Sequence, residues 1–131
     1  MNHPSISVWF PAYNEEATIS DVLQEAAKLL SQSGLDYEIL VCNDGSADRT
    51  GAIVDDLARR ISHFRVIHHQ RNRGIRATFE DLYSEASKEF VFLNSTDGQW
   101  QTKILFDILP LSGEWDVIVA SRREKHYGLV R

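Results

Sequence analysis

The stretch Ile6-Ser7-Val8-Trp9-Phe10-Pro11-Ala12-Tyr13-Asn14-Glu15-Glu16 decides the fold, because a short apolar run passes abruptly into a polar segment. Such a run is typical of a strand buried in a parallel sheet. The pattern recurs where 38–42 precedes Asn43-Asp44-Gly45-Ser46, and where 90–93 precedes Ser95-Thr96-Asp97-Gly98-Gln99. Loops at the carboxyl ends of neighbouring parallel strands meet in one crevice. We therefore expect three polar loops around one ligand-binding pocket.

The hydrophobic periodicity alternates between short apolar runs and amphipathic segments with apolar residues three or four positions apart. This alternation predicts an α/β fold with a mostly parallel sheet and helices on both faces. The predicted strands are 6–10, 38–42, 65–68, 90–93 and 116–120, and the predicted helices are 17–30, 49–61, 75–87 and 103–109.

Composition restricts the class of protein. The 131 residues suit a single domain, and the net charge of −5 without a basic stripe argues against a nucleic-acid partner. The one cysteine, Cys42, allows no intramolecular disulfide and lies in a predicted strand, so we interpret it as a small core residue. Neither a signal peptide nor an apolar run of about 20 residues is recognisable in the sequence.

Two carboxylates lie where predicted strands end. Asp44 could accept hydrogen bonds from a nucleobase or a ribose hydroxyl, or it could instead organise the local turn. Asp97 could bind Mg²⁺ or Mn²⁺ with the amide oxygen of Gln99, or it could belong to a surface turn. Both residues are therefore candidates for a nucleotide and metal site.

Polar residues beside the predicted helix starts are open to two interpretations. Asn14 could cap the first helix, and Glu15 and Glu16 would then favour its dipole, although acids there oppose a diphosphate. Arg73 could bind phosphate or lie in a solvated loop, whereas Arg122 is the better phosphate candidate. His68 and His69 are interpreted as strand-end residues and not as catalysts.

Taken together, these motifs resemble those of the family 2 glycosyltransferases with the GT-A fold. The resemblance is strongest to their polyprenyl-phosphate branch, which includes dolichyl-phosphate mannosyltransferase and bacterial undecaprenyl-phosphate sugar transferases. The segments that carry it are 11–16, 43–46 with 48–50, 72–74, 97–99 and 121–122.

The resemblance implies a site for a nucleotide-diphosphate sugar whose base is held by Asp44. Arg122 would hold phosphate or help the leaving group, and a lipid phosphate is the implied acceptor. The implied nucleotide pocket consists of Pro11, Ala12, Tyr13, Glu15, Asp44 and Arg73, the metal ligands for Mg²⁺ or Mn²⁺ are Asp97 and Gln99, and the catalytic residues are Asp97 and Arg122.

Two departures from the family pattern bear on activity. Ser95 stands where the family usually has an aspartate, and Gln101 follows Trp100 where the family has an acid. The family's acceptor-binding half follows the Ser121-Arg122 region, so we expect residues 1–131 to be one donor-binding domain of a longer glycosyltransferase that transfers no sugar by itself. The expected location is cytoplasmic, at the membrane surface in the longer protein.

Other classes of protein compete with this hypothesis. A non-catalytic nucleotide-binding or scaffold domain that has lost its full metal site is the alternative that Ser95 favours. A phospho-receiver domain is disfavoured because Pro11 and Ser121 occupy the positions of its acids and its lysine. A dinucleotide-dependent dehydrogenase is disfavoured because Gly-x-Gly-x-x-Gly does not occur.

Overall fold

The computed structural model describes residues 4–97 and 102–119, which form a sheet with helices on both faces. The strands are β1 (Ile6–Ala12), β2 (Tyr37–Asp44), β3 (Phe64–His69) and β4 (Phe90–Leu93). The helices are α1 (Ile19–Ser31), α2 (Thr50–Arg60), α3 (Ile75–Glu85) and α4 (Ile104–Ile108), and a 3-10 helix (Leu109–Gly113) follows α4.

All strand pairs in the described sheet are parallel, and the strand order is β3-β2-β1-β4. The chain fills one side of β1 with β2 and β3, and then crosses back to place β4 on the other side of β1. The order therefore reverses between β1 and β4. Open α/β sheets bind ligands at the carboxyl ends of the strands flanking such a switch point.

The larger core lies between the sheet and α1, α2 and α4. Alternate residues of β1 and β2 face it, among them Val8, Phe10 and Ile39, which are 0% exposed. They pack against apolar positions three or four apart on the helices, a spacing that keeps one helical face inward. These helix residues are Ile19, Leu23, Ala26, Leu30, Val54, Leu57 and Leu105.

The opposite face of the sheet packs against α3. Trp9, Leu40 and Cys42 form a second buried cluster there with Leu82 of α3. The prediction of an α/β fold with helices on both faces is thus confirmed. Burial raises the pKa of the Cys42 thiol to about 11, which agrees with its interpretation as a core residue. Beyond this cluster, β4 is the edge strand of the described sheet, and its Val91 and Leu93 are exposed.

The strands are longer than the sequence predicts at the ends that matter for the site. Pro11 and Ala12 still belong to β1, and Asn43 and Asp44 still belong to β2, so these four residues are not loop residues. Parallel pairing of Pro11 with Cys42 and of Ala12 with Asn43 extends both strands past the apolar run. Backbone hydrogen bonding here continues where side-chain polarity suggested a turn.

The fifth predicted strand is wrong over its described residues. Residues 116–119 form no strand, and Val117 and Val119 are 77% and 84% exposed. An apolar run acquires strand structure only through a hydrogen-bonded neighbour, which periodicity cannot supply. Helix α4 is also shorter than predicted, since the chain from Leu109 to Gly113 continues as a 3-10 helix that contains Pro110.

Gly45 allows the end of β2 to contact the loop between β3 and α3. Its φ is 67°, in the left-handed region. A Cβ atom at this position would lie 2.2 Å from the carbonyl carbon of Arg71 and 2.3 Å from the backbone nitrogen of Asn72. Only glycine fits this approach.

We expect Gly45→Ala to lower the free energy of unfolding by about 2–4 kcal/mol, because it adds a backbone clash to an unfavourable φ. Gly34→Ala is the matched control, since Gly34 also has a positive φ of 74° but nothing lies within 4 Å of its added Cβ. Gly34→Ala should lower the free energy of unfolding by about 1–2 kcal/mol. Urea denaturation followed by circular dichroism measures both, and equal losses would contradict the close approach.

Candidate functional site

The loops that follow β1 and β4 are joined by hydrogen bonds at the switch point. The Thr96 hydroxyl donates to the carbonyl oxygen of Pro11 over 3.2 Å, and the Thr18 hydroxyl donates to the Thr96 carbonyl over 2.6 Å. A cleft of about 1040 Å³ runs along β4 and reaches these loops, where Glu15 and Ser95 contribute to its lining. Of the three loops expected around one crevice, those after β1 and β4 line this cleft, and the loop after β2 does not.

Asn14 joins the loop after β1 to the loop after β2. Its backbone N–H donates to the Ser46 hydroxyl over 3.0 Å, and its side-chain Oδ1 accepts the Ala47 N–H over 2.8 Å. Its φ of 51° turns the chain for this contact. The interpretation of Asn14 as the cap of α1 is wrong, because Thr18 occupies that N-cap position.

The two glutamates continue this connection between the loops. The Glu15 N–H donates to the Thr50 hydroxyl over 2.9 Å, and the Glu16 N–H donates to Asp48 Oδ2 over 3.2 Å. In return, Glu16 Oε2 accepts the N–H of Arg49 over 3.1 Å at the start of α2. The carboxylate of Glu16 thus accepts a hydrogen bond at the N-terminus of α2 and not at that of α1.

Negative charge gathers near the cleft, around Glu15. Burial raises the pKa of the Glu15 carboxyl, and the charges of Asp97 and Asp48 raise it further. The Ser95 hydroxyl donates to the Asp97 carboxylate, so these two side chains are in direct contact. Within residues 4–97 and 102–119, no group of three or more His, Cys, Asp or Glu side chains is arranged to hold a metal.

These oxygen donors fit a hard divalent cation only in part. Mg²⁺ is typically bound through one or two carboxylates together with substrate phosphates, so Asp97 would need oxygens from a bound diphosphate. Gln99, the second expected ligand, lies outside the described residues, as does Arg122.

Asp44 is buried at the crevice end of β2 and accepts three hydrogen bonds. Its Oδ1 accepts from Nδ1 of His69 over 2.7 Å and from the N–H of Arg73 over 2.8 Å, and its Oδ2 accepts the N–H of Gly74 over 3.0 Å. Burial acts to raise the pKa of this carboxyl, but the three hydrogen bonds outweigh it and lower the pKa. The carboxylate therefore holds the loop between β3 and α3.

The alternative role of Asp44, the organisation of its own turn, falls instead to the preceding residue. Asn43 Oδ1 accepts the N–H of Ser46 over 3.3 Å, whereas the Asp44 carboxylate reaches across to the next loop. Contact between Asp44 and a nucleobase stays a prediction.

The remaining predicted residues, Arg73, Tyr13 and Ala12, lie in different surroundings. The Arg73 guanidinium lies 3.3 Å from Asp81 Oδ2 on α3 and is half exposed, so a contact with phosphate stays a prediction. Tyr13 is 48% exposed at the loop after β1, while the Ala12 side chain is buried in the main core. Ala12 could therefore line a pocket only through its backbone.

Sequence reasoning identified His69 as a strand-end residue but missed its surroundings. His69 ends β3 as expected, yet its side chain is only 4% exposed and contacts Asp44 and Asp81. One available signal was Asp81 itself, an acid next to the buried Leu82 and three positions after the buried Thr78 on α3. A buried histidine needs hydrogen-bond acceptors close by, and an acid at this place on α3 can provide one.

The described fold is an α/β sheet with a topological switch point, and comparison identifies the family. The sequence model of glycosyl transferase family 2 matches residues 7–130. The chain therefore belongs to glycosyl transferase family 2.

Relatives and solved structures agree with this assignment. The chain is 30% identical over 132 residues to the putative glycosyltransferase CsbB of Bacillus subtilis, covering 100% of this chain and 40% of CsbB. It is 33% identical over 102 residues to the dolichyl-phosphate beta-glucosyltransferase ALG5D of Trichomonas vaginalis, covering 72% and 31%. TarS 1-349 of S. aureus in complex with UDP-GlcNAc superimposes with a TM-score of 0.69 at 26% identity, covering 84% and 31%.

The chain thus spans two fifths of the length of CsbB and less than a third of the length of ALG5D. Of the helices in the described part of the chain, none combines the length and the apolarity that crossing a membrane requires.

We expect Asp44→Ala to lower the free energy of unfolding by about 3–5 kcal/mol, because it leaves a buried histidine and two backbone N–H groups without their acceptor. Asp56→Ala is the control, since Asp56 is half exposed and pairs with Arg59 and Arg60 on the surface of α2. Its loss should stay below about 1 kcal/mol. Urea denaturation measures the free energy of unfolding of both variants. A loss in Asp44→Ala no larger than the loss in Asp56→Ala would contradict the role of Asp44 in holding the loop between β3 and α3.

Proposed function

We propose that this chain is the donor-binding part of a glycosyltransferase and binds a UDP- or GDP-sugar at the crevice between β1 and β4. The observation that carries the proposal is the meeting of the loops after β1 and β4 at the switch point, where Glu15 and Ser95 line one cleft. Hydrogen bonds from Thr96 and Thr18 hold the two loops together there. Family membership supports the same activity.

The nucleoside would lie over the ends of β1 and β2. Tyr13 offers an exposed aromatic ring for contact with the base or ribose. The backbone of Pro11 and Ala12 and the side chain of Glu15 would form one wall of the nucleotide pocket. Asp44 would lie at the end of the pocket that holds the base. TarS, which binds UDP-GlcNAc, has the same fold over most of this chain and supports a nucleotide sugar as donor.

A divalent cation, Mg²⁺ or Mn²⁺, would be held by Asp97 and Gln99 together with the donor diphosphate. Bound there, it would stabilise the negative charge that develops on the departing nucleoside diphosphate. The residues of the chain would have separate tasks: Asp97 would hold the cation that faces the diphosphate, and Arg73 and Arg122 would neutralise phosphate charge. Thr96 fixes the loop that carries Asp97.

A polyprenyl phosphate is the acceptor class that we propose for the complete enzyme. ALG5D, whose name states a dolichyl-phosphate substrate, supports this choice. A phosphate acceptor is already ionised near neutral pH, so attack on the sugar needs little help from a general base. The longer protein would then work at the cytoplasmic membrane surface.

Calorimetric titration of the 131-residue chain with UDP-GlcNAc and GDP-mannose, each with and without Mn²⁺, tests the donor site. We expect one of the two nucleotides to bind, and Asp97→Asn to remove most of the gain in affinity that Mn²⁺ gives, on the order of tenfold. Asp21→Asn, an exposed change of equal charge on α1, should bind like the wild type. The absence of binding for both nucleotides would refute the donor site.

We expect Ser95→Asp to tighten Mn²⁺ binding by on the order of tenfold, because it adds a charged oxygen ligand beside Asp97. Paramagnetic relaxation of water by Mn²⁺, measured with nucleoside diphosphate present, reports this affinity. Ser84→Asp adds the same charge on the exposed surface of α3 and should leave the affinity unchanged. Equal Mn²⁺ affinity in wild type and Ser95→Asp would mean that position 95 does not face the cation.

A non-catalytic nucleotide-binding domain is the second candidate, and Ser95 is the observation that favours it. The two candidates differ in their response to Mn²⁺. A donor domain binds the nucleotide sugar more tightly with Mn²⁺, whereas a domain that has lost its metal site binds it equally well without Mn²⁺.

A further inference from the structure

Two adjacent histidines at the end of β3 have opposite hydrogen-bonding requirements. His69 has a carboxylate at each ring nitrogen: Nδ1 lies 2.7 Å from Asp44 Oδ1, and Nε2 lies 2.6 Å from Asp81 Oδ2. An ionised carboxylate only accepts hydrogen bonds, so both nitrogens of His69 must carry a proton. That condition is met by the charged imidazolium and not by the neutral ring.

His68 provides the contrast within the same strand. Its Nε2 donates to Asp55 Oδ1 over 2.6 Å, but its Nδ1 lies 3.1 Å from Nδ2 of Asn43, which is a donor. The orientation of the Asn43 amide is fixed because its Oδ1 accepts the N–H of Ser46. One acceptor and one donor face the ring of His68, whereas two acceptors face the ring of His69.

The proton of the His69 cluster belongs on the ring, because both carboxylates have further donors. Asp44 also accepts from the backbone of Arg73 and Gly74, and Asp81 also lies 3.3 Å from the Arg73 guanidinium. Each of these donors stabilises the ionised form of the carboxylate that it contacts, so the shared proton stays on the ring. The His69 side chain is only 4% exposed, so water contributes little to its solvation.

We propose that His69 is a positioning residue: as an imidazolium clamped between Asp44 and Asp81, it fixes the Asp44 carboxylate that holds the backbone of Arg73 and Gly74. The cluster joins the end of β2, the end of β3, the following loop and α3 through one charged ring. Its consequence for nucleotide binding rests on the proposed function, because Asp44 and Arg73 are the expected contacts with base and phosphate.

The groups around His69 define the pH range in which the clamp exists. Asp44 and Cys42 face the ring from β2, Asp81 faces it from α3, and Arg73 contacts Asp81 from the loop. Burial acts to lower the pKa of His69, but the hydrogen bonds and charges of Asp44 and Asp81 outweigh it and raise the pKa above 6.5. The free energy of folding contributed by the protonated His69 ring is therefore fully present below pH 6.5. It is lost as the pH rises through the higher pKa that His69 has in the folded state.

The charge of the ring is measured by nuclear magnetic resonance on the full chain with ¹⁵N-labelled histidine, titrated across about pH 5 to 9. We expect both His69 nitrogens to keep their protons well above pH 6.5, and Asp81→Asn to move the midpoint to lower pH. His68→Gln identifies the neighbouring signal and should leave the His69 midpoint unchanged. A His69 ring that is already neutral at pH 6.5 would overturn the proposal.

The positioning role is measured by hydrogen exchange at the amides of Arg73 and Gly74, which are protected by Asp44. We expect His69→Gln to speed this exchange by at least about tenfold, while His68→Gln leaves it unchanged. If His69→Gln does not fold, Asp81→Asn takes its place, and exchange should then quicken at lower pH than in the wild type. Unchanged protection in a folded His69→Gln variant, or in Asp81→Asn when it takes its place, would also overturn the proposal.

Binding of UDP and GDP in the presence of Mn²⁺, measured by calorimetry over the same pH range, separates this proposal from the function itself. We expect nucleotide affinity to fall as His69 loses its proton, and the fall to shift to lower pH in Asp81→Asn. Affinity that is independent of pH in both proteins would remove His69 from nucleotide binding. If the wild type binds neither nucleotide, the proposed function fails, and the ring and amide measurements still decide the role of His69.

Discussion

Parallel pairing on both sides of β1 is the constraint on which the rest of this structure depends. Because β1 pairs with β2 on one side and with β4 on the other, every strand ends at the same edge of the sheet. Parallel neighbours need long crossover connections, and here helices supply them and cover both faces. The polar loops therefore meet at one edge without any contact having to draw them there.

The loops are then fixed by hydrogen bonds between side chains and backbone. Asn14 and Glu16 join the loops after β1 and β2, Thr96 joins the loop after β4 to Pro11, and Asp44 joins the loop after β3 to β2. Each of these bonds satisfies a backbone group that the end of a strand or the start of a helix leaves without a partner. A ligand would thus meet loops whose ordering cost has been met during folding.

The sequence predicted the order of the elements well, because apolar periodicity reports which face of a strand or helix is buried. It also indicated that the polar motifs lie at one edge of the sheet, since they directly follow apolar runs, and nucleotide binding at that edge stays a prediction. It failed where a contact joins residues distant in the chain: Asn14 contacts the loop after β2, and His69 lies between carboxylates from two other elements. Periodicity also could not determine whether 116–119 has a strand to pair with.

The position of β4 affects how the molecule behaves among its own copies. This strand is short and apolar, and in the described part of the chain it pairs on one side, with β1. Its outer backbone groups and the exposed side chains of Val91 and Leu93 form a surface on which another extended chain could add a strand. This open edge therefore favours self-association of the chain along β4 in concentrated solution, at the opposite end of the strand order from β3 and the loop that Asp44 and His69 hold.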